Sequence, residues 1–390
     1  MTRTTFPNLF FLSIAFFFLL TGCQNDPKDT TETSFADLPS VEFDYEPSTY
    51  KWGYINTQGE VVIRAAYDDC RDFIEGKAVI RIGGKWGFIN KNGEVVIEPK
   101  YRAVWDYSEG LARVLTFSGK TGFIDHQGRE VIPPKFEDAG NFQDGLAYFV
   151  ADGKYGYINQ TGEEVIKAEY EAASNFAHAT AKVKKNGKYG LINAQGLVQI
   201  PFAFDKIDYG NTPLIRARKE GLYGYLHSDG AIAIPFQYKS AKAFQNGLAP
   251  VKKAKTWGLI NLQGEEVVPS QYLQIWQAAP DRWTVELDGK YGLLDAKGDL
   301  LVAPIYENMY SFQEGYAAVQ KGGIWGYIDQ SGQEITPQQY GLAWSFKEGM
   351  ARVGFYEGIG FINENGEVAI RPKYIDVRDF SDGLARVQLN

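Results

Sequence analysis

Lys85-Trp86-Gly87-Phe88-Ile89-Asn90-Lys91-Asn92-Gly93 reads as a short strand, a tight turn and the opening of a second strand. Side chains alternate along a strand, so Trp86 and Phe88 fall on one face and Gly87 and Ile89 on the other. Asn90-Lys91-Asn92-Gly93 has hairpin chemistry: Asn can bond the turn backbone, and Gly takes the positive φ that other residues resist. A glycine in mid-strand, such as Gly87, implies close approach by a neighbouring backbone or ring.

The pattern returns along the chain. A glycine occupies the Gly87 position at Gly53, Gly122, Gly156, Gly190, Gly224, Gly258, Gly292, Gly326 and Gly360. The spacing is 34 residues, except 35 between Gly87 and Gly122, where the turn around Phe117-Ser118 is longer. Six residues on, a second glycine is present in all ten copies; three residues on stands Asn or Asp, with His227 the exception. The second strand, Glu94-Val95-Val96-Ile97, runs to a proline (Pro99, Pro134 or Pro372), which lacks an amide donor and is expected to end it. An aromatic follows in every copy, from Tyr67 and Tyr101 to Tyr374, as a core plug. Three residues later the position is always apolar, from Cys70 and Val104 to Val377. Asp/Glu-Gly-Leu-Ala then turns the chain into a third strand, as at Asp144-Gly145-Leu146-Ala147.

Each unit therefore reads as a three-stranded β-meander with a Pro-aromatic connector. The fold class is all-β, because nothing after the N-terminal segment shows a 3.6-residue period. A 34-residue unit cannot bury enough apolar surface alone, so the units must pack on one another.

Lys51-Trp52-Gly53, Lys85-Trp86-Gly87 and Trp325-Gly326-Tyr327-Ile328-Asp329 at this period resemble the bacterial WG (KWG) β-repeat family over residues 51–390. Thr121 and Ile359 depart from it by replacing the aromatic, and the copies around Asp205–Arg218 and Leu273–Leu287 lose the Asp/Glu-Gly-Leu-Ala turn. The resemblance implies repeated binding or scaffold modules on secreted and surface proteins, without catalytic residues. The expected architecture is an open curved superhelix, a solenoid of ten β-meanders, with residues 41–50 supplying a cap strand at Val41–Tyr45. The alternative is a closed propeller-like ring, because the chain starts on a unit's first strand and ends on a third.

Residues 1–22 carry Arg3 and an apolar run from Leu9 to Leu20, too short to span a bilayer comfortably and suited to a secretory signal. Leu20-Thr21-Gly22-Cys23 resembles the lipobox of bacterial lipoproteins, which implies lipidation of Cys23 and cleavage before it. Two or three acyl chains anchor a protein stably in a membrane. Residues 23–40 read as a polar tether. Gln24 after the lipidated cysteine favours the outer membrane of the cell envelope, on its periplasmic or surface face. Cleavage removes Arg3, leaving 39 basic against 48 acidic residues. A net acidic chain without a Lys/Arg cluster is a poor nucleic-acid binder. Cys23 and Cys70 build neither a disulfide framework nor a metal site, and Cys70 reads as a small buried hydrophobe.

No phosphate-binding glycine loop, His-Glu-x-x-His or Gly-x-Ser-x-Gly is present, and His126, His178 and His227 fall at unrelated repeat positions. No catalytic residue, metal ligand or cofactor is expected, and the protein reads as a non-enzyme. The informative position follows the always-apolar residue: Arg71, Trp105, Gly140, Ser174, Asp208, Lys242, Trp276, Tyr310, Trp344 and Arg378. A position that accepts Asp, Lys or Trp points outward, and Trp, Tyr and Arg supply most interface energy. Trp105, Trp276, Tyr310, Trp344, Arg71 and Arg378 are thus the candidate ligand-binding residues of an envelope recognition module for protein or glycan. The competing expectation is a passive structural or assembly scaffold.

Overall fold

In the computed structural model the described residues run from 50 to 389, without 209–211 and 375. The signal segment 1–22, Cys23, the tether 23–40 and the proposed cap strand lie outside them, Tyr50 excepted. Among the described residues, forty strands form ten four-stranded antiparallel sheets. The second of these blades has strands a (Asp69–Ile74), b (Lys77–Ile82), c (Lys85–Asn90) and d (Val95–Tyr101), hydrogen-bonded in that order.

The expected three-stranded unit is corrected in one respect: the connector is itself the fourth strand, a. In blades such as the third it is only Ala103–Val104, too short to show alternation. Strand d also continues through its proline. Lys51-Trp52 illustrates the register: Trp52 pairs with Tyr67 and Tyr54 with Ile63, so strand d carries extra residues as a bulge. An edge strand needs no outward amide at the bulge, which is where proline is tolerated. The c-strand glycine exists for this bulge. A Cβ on Gly156 would stand 2.5 Å from Ile166 O and 2.6 Å from Ala168 N, and all ten copies meet backbone in the same way.

The open superhelix is overturned. The first blade is assembled from both chain ends: strands a (Asp376–Ser381) and b (Leu384–Leu389) come from the C-terminal end, c (Lys51–Ile55) and d (Val61–Tyr67) from the N-terminal end. Lys51 pairs with Leu389, and the register holds without interruption to Ile55 and Ala385. The strand that a cap was expected to supply is Leu384–Leu389, and ten blades close into a propeller ring. Contacts between blades are the same at the seam as elsewhere. Gly93 (φ 80°) sits against Ile63 of the preceding blade, with a Cβ there 3.1 Å from Ile63 Cγ2; Gly59 sits against Ile370 across the seam. Each hydrophobic cluster joins adjacent blades, as Tyr54, Tyr67, Cys70, Phe73 and Ile80 do. Cys70 is fully buried and unpaired by disulfide, and burial pushes its thiol up to about 12.

The hairpin reading of Asn-x-x-Gly holds. Asn90 Oδ1 accepts from Asn92 N and Glu94 N, both at 3.0 Å, and Asn90 O accepts from Gly93 N at 2.9 Å. Strand a of the first blade approaches strand a of the second and tenth blades, whereas strand d exposes alternate residues, so a lies toward the ring axis and d forms the rim.

Candidate functional site

The row of variable residues lies on strand a or, in the blades where that strand is two residues long, directly after it. Its members are neither core plugs nor freely projecting side chains; all are half-buried except the buried Gly140 and the exposed Arg378. Each of the six candidates rests on the ring that opens strand c or on a strand-b cation. Trp276 meets Tyr291 edge-on at 5.6 Å, and Tyr310 tilts against Trp325 at 4.9 Å. Trp105 lies under Arg113 at 3.8 Å and Trp344 under Arg352 at 4.5 Å. Arg71 lies over Trp86 at 5.2 Å and Arg378 over Trp52 at 5.6 Å. Where the row has Gly140, Tyr148 from strand b fills the place, and a Cβ on the glycine would collide with its ring.

The inner strand would present unmet carbonyls at the ring axis. Side chains of neighbouring blades meet them. Tyr54 Oη donates to Arg71 O at 2.7 Å and Tyr327 Oη to Trp344 O at 2.7 Å. Arg352 Nη1 donates to Val377 O at 2.7 Å, Arg113 to Ala139 O, and Arg71 to Val104 O at 3.0 Å. These strand-b arginines were missed as site residues, although a signal existed: the residue after Gly-Leu-Ala or Gly-Met-Ala is Arg113, Arg352 and Arg386.

Two further belts join the blades. At the b–c turn end, Lys51 pairs with Asp68, whose other oxygen accepts from Gly83 N of the next blade at 2.7 Å. Lys188, Asp205 and Gly221 repeat this, as do Lys290, Glu307 and Gly323. The Lys188 bond holds Asp205 below the usual carboxylate range, and the Gly323 amide does the same for Glu307. At the other end, Glu314 accepts from Glu348 N and Gly349 N, and Glu348 from Asp382 N and Gly383 N. The acidic residue of the Asp/Glu-Gly turn is thus a blade-to-blade clamp. Next to the row, burial pushes the Asp106 carboxyl up, with nearby Arg71 opposing it.

Closure rearranges the candidate residues. Along the chain they fall into two groups, Arg71 and Trp105 near one end and Trp276, Tyr310, Trp344 and Arg378 near the other. On the ring they occupy six consecutive blades, eighth to tenth and first to third: Trp276, Tyr310, Trp344, Arg378, Arg71, Trp105. The other four blades carry Lys242, Asp208, Ser174 and Gly140. The row has an aromatic–guanidinium arc and a small, polar arc.

A ring of ten antiparallel blades with this repeated strand-and-turn unit defines a β-propeller built of tandem repeats. The family model for the WG containing repeat matches residues 52–86, 86–116, 122–155, 155–189, 223–256, 257–276, 291–323, 325–354 and 359–390, and the chain belongs to that family. The gaps after 189 and 276 are the two copies that lack the acidic-Gly-Leu-Ala turn, yet both keep four strands. No curated protein matches the chain. Among solved structures it is similar to the computationally designed Ika8 protein, with 13% identity, 69% of this chain and 95% of that one covered, and a TM-score of 0.35. A eukaryotic initiation factor gives 11% identity, 80% and 97% coverage and a TM-score of 0.48. The extracellular domain of a putative hybrid two-component system from B. thetaiotaomicron gives 8%, 77%, 50% and 0.25.

Proposed function

We propose that this protein is a non-catalytic recognition module of the cell envelope, held at the membrane through lipidated Cys23, and that it takes a protein or glycan partner on the aromatic–guanidinium arc. The observation that carries this reading is the gathering of Trp276, Tyr310, Trp344, Arg378, Arg71 and Trp105 on six consecutive blades while the remaining blades carry none of these residue types in the row. Trp, Tyr and Arg dominate interface energetics. The invariant ring, turn and glycine positions are occupied with holding blades together, which leaves the variable row for specificity.

A second reading, an assembly scaffold working through its outer strands, draws on exposed Val61, Val198 and Ile232 on strand d. The bulge and proline in strand d work against it, since both devices blunt edge-to-edge pairing. The test compares the full chain in detergent with a Trp105→Ala/Trp276→Ala/Trp344→Ala variant for capture of envelope proteins and for binding to a glycan and peptidoglycan panel. Loss of partners with the variant supports recognition; identical capture by both proteins overturns it in favour of the scaffold.

A further inference from the structure

Blades three and ten depart from the others at four positions together. The ring that opens strand c is replaced by Thr121 and Ile359. The row carries Trp105 and Trp344, and strand b carries Arg113 and Arg352 stacked on them. The b–c turn carries an exposed ring, Phe117 at 60% and Tyr356 fully exposed. Among the described residues the only other exposed aromatic is Tyr50, at 40%, just before strand c of the first blade. All three exposed rings therefore stand at the b–c turn end, within blades ten, one and three.

Closure sets these two unusual blades on either side of blades one and two. There the order of ring and charge is reversed: Trp52 lies beneath Arg378 and Arg386 at 5.6 and 6.0 Å, and Trp86 beneath Arg71 and Arg81, each at 5.2 Å. The guanidiniums are matched by carboxylates. Arg378 pairs with Asp376 at 2.9 Å, Arg386 with Asp72 at 2.7 Å, Arg352 with Asp379 at 2.5 Å, Arg113 with Asp138 at 3.6 Å and Arg81 with Asp69 at 3.8 Å. Arg71 lies in the field of Asp106. Arg113 and Arg352 are buried beside Trp105 and Trp344. The accessible donors and acceptors are therefore Arg71 and the Arg378–Asp376, Arg386–Asp72 and Arg81–Asp69 pairs, bracketed by rings.

Resting on the recognition reading above, the geometry points to a neutral oligosaccharide chain laid across blades ten, one, two and three, stacking on Tyr356 and Phe117 and hydrogen-bonding to the paired charges around Arg378 and Arg71. A pyranose offers an apolar C–H face and a rim of hydroxyls. The negative face of an aromatic ring attracts the first, and ion-paired guanidinium and carboxylate groups suit the second. A protein partner calls for a depleted-charge apolar centre, whereas here ion pairs separate the rings. An anionic polymer calls for unmatched cations, and the arginines here each face a carboxylate.

The test titrates the full chain in detergent with cellohexaose, chitohexaose and maltohexaose, with their disaccharides, and with an acidic hexasaccharide of galacturonate, following tryptophan fluorescence and heat. At least one neutral hexasaccharide binds, and its disaccharide binds more weakly because it cannot reach both brackets. Tyr356→Ala and Phe117→Ala each weaken binding by about two- to tenfold, the range of one aromatic contact, while Tyr356→Phe keeps it and the melting temperature is unchanged. Tighter binding of the galacturonate chain, or neutral binding indifferent to both alanine variants, overturns the assignment. If no saccharide binds but the triple Trp variant still loses an envelope protein, the glycan assignment falls and the recognition reading stands; if that capture is also unaffected, both fall.

Discussion

Arg386 Nε donates to Asp72 Oδ1 at 2.7 Å and Arg386 Nη1 to Cys70 O at 2.7 Å, joining residues more than 300 positions apart. Arg352 makes the same pair of bonds to Asp379 and Val377 one blade earlier, so the seam is built to the same plan as an internal joint.

Two treatments of the seam follow. Arg386→Ala removes a charge-assisted bond and leaves the Cys70 carbonyl unmet, costing about 1–3 kcal/mol, read as a lower urea midpoint. Truncation after Asp382 removes strand b of the first blade and leaves strand c with an unpaired edge. Loss of the single cooperative melting transition, or association of the truncated chains, is the expected result. A truncated chain melting like the full one would contradict closure.

The glycines divide into two mechanisms that substitution separates. Gly156→Ala drives a Cβ into the strand-d bulge and costs about 1–3 kcal/mol through overpacking; Gly156→Asn is worse. Gly187, at φ 74° in open space, costs about 1–2 kcal/mol as Ala for its left-handed backbone, and Gly187→Asn recovers most of that. Chemical denaturation of the four variants checks the ordering.

Asn159 Oδ1 accepts from Thr161 N at 3.1 Å and Glu163 N at 2.9 Å. Asn159→Ala leaves two turn amides without their acceptor, at about 1 kcal/mol for each net bond. Asn159→Asp keeps both acceptor bonds, as Asp125, Asp295 and Asp329 do in other blades. It loses the Nδ2 donation to Glu163 at 2.8 Å, so it costs less than alanine without being neutral. Melting temperatures of the pair decide it.

Acid sensitivity has a defined sign. Asp205 and Glu307 are held below their ordinary range, so the stability they add is present above the unfolded-state value, near pH 4, and is lost as pH falls through the folded one. Melting temperature should fall between about pH 5 and 3, and Asp205→Asn/Glu307→Gln should flatten that fall while lowering stability at pH 7. An unchanged slope would remove these carboxylates from the blade-to-blade clamp.

The repeat, its ten copies and the roles of Asn90, Gly93 and Gly87 were legible because they are local, and a local need recurs at a fixed period. The inner strand was not, since Ala103–Val104 is too short to alternate. Proline misled for a related reason: Pro99 reads as a stop, but on an outer edge a bulge absorbs it. Closure was legible only as the alternative. Starting on a first strand and ending on a third lets Leu389 lie opposite Lys51, but the 34-residue period alone did not choose that over an open array with a cap strand. The candidate row was found by its variability, yet its contiguity depended on closure, and the cations that clamp Trp105 and Trp344 were passed over as strand filler.

The first blade takes two strands from each end of the chain, and the four-blade surface bracketed by Tyr356 and Phe117 straddles it. Its two halves meet only when Leu384–Leu389 pairs with Lys51–Ile55, strands more than 300 positions apart in sequence. Closing the seam and assembling that surface are therefore one event, so a ring left open presents no partial version of it.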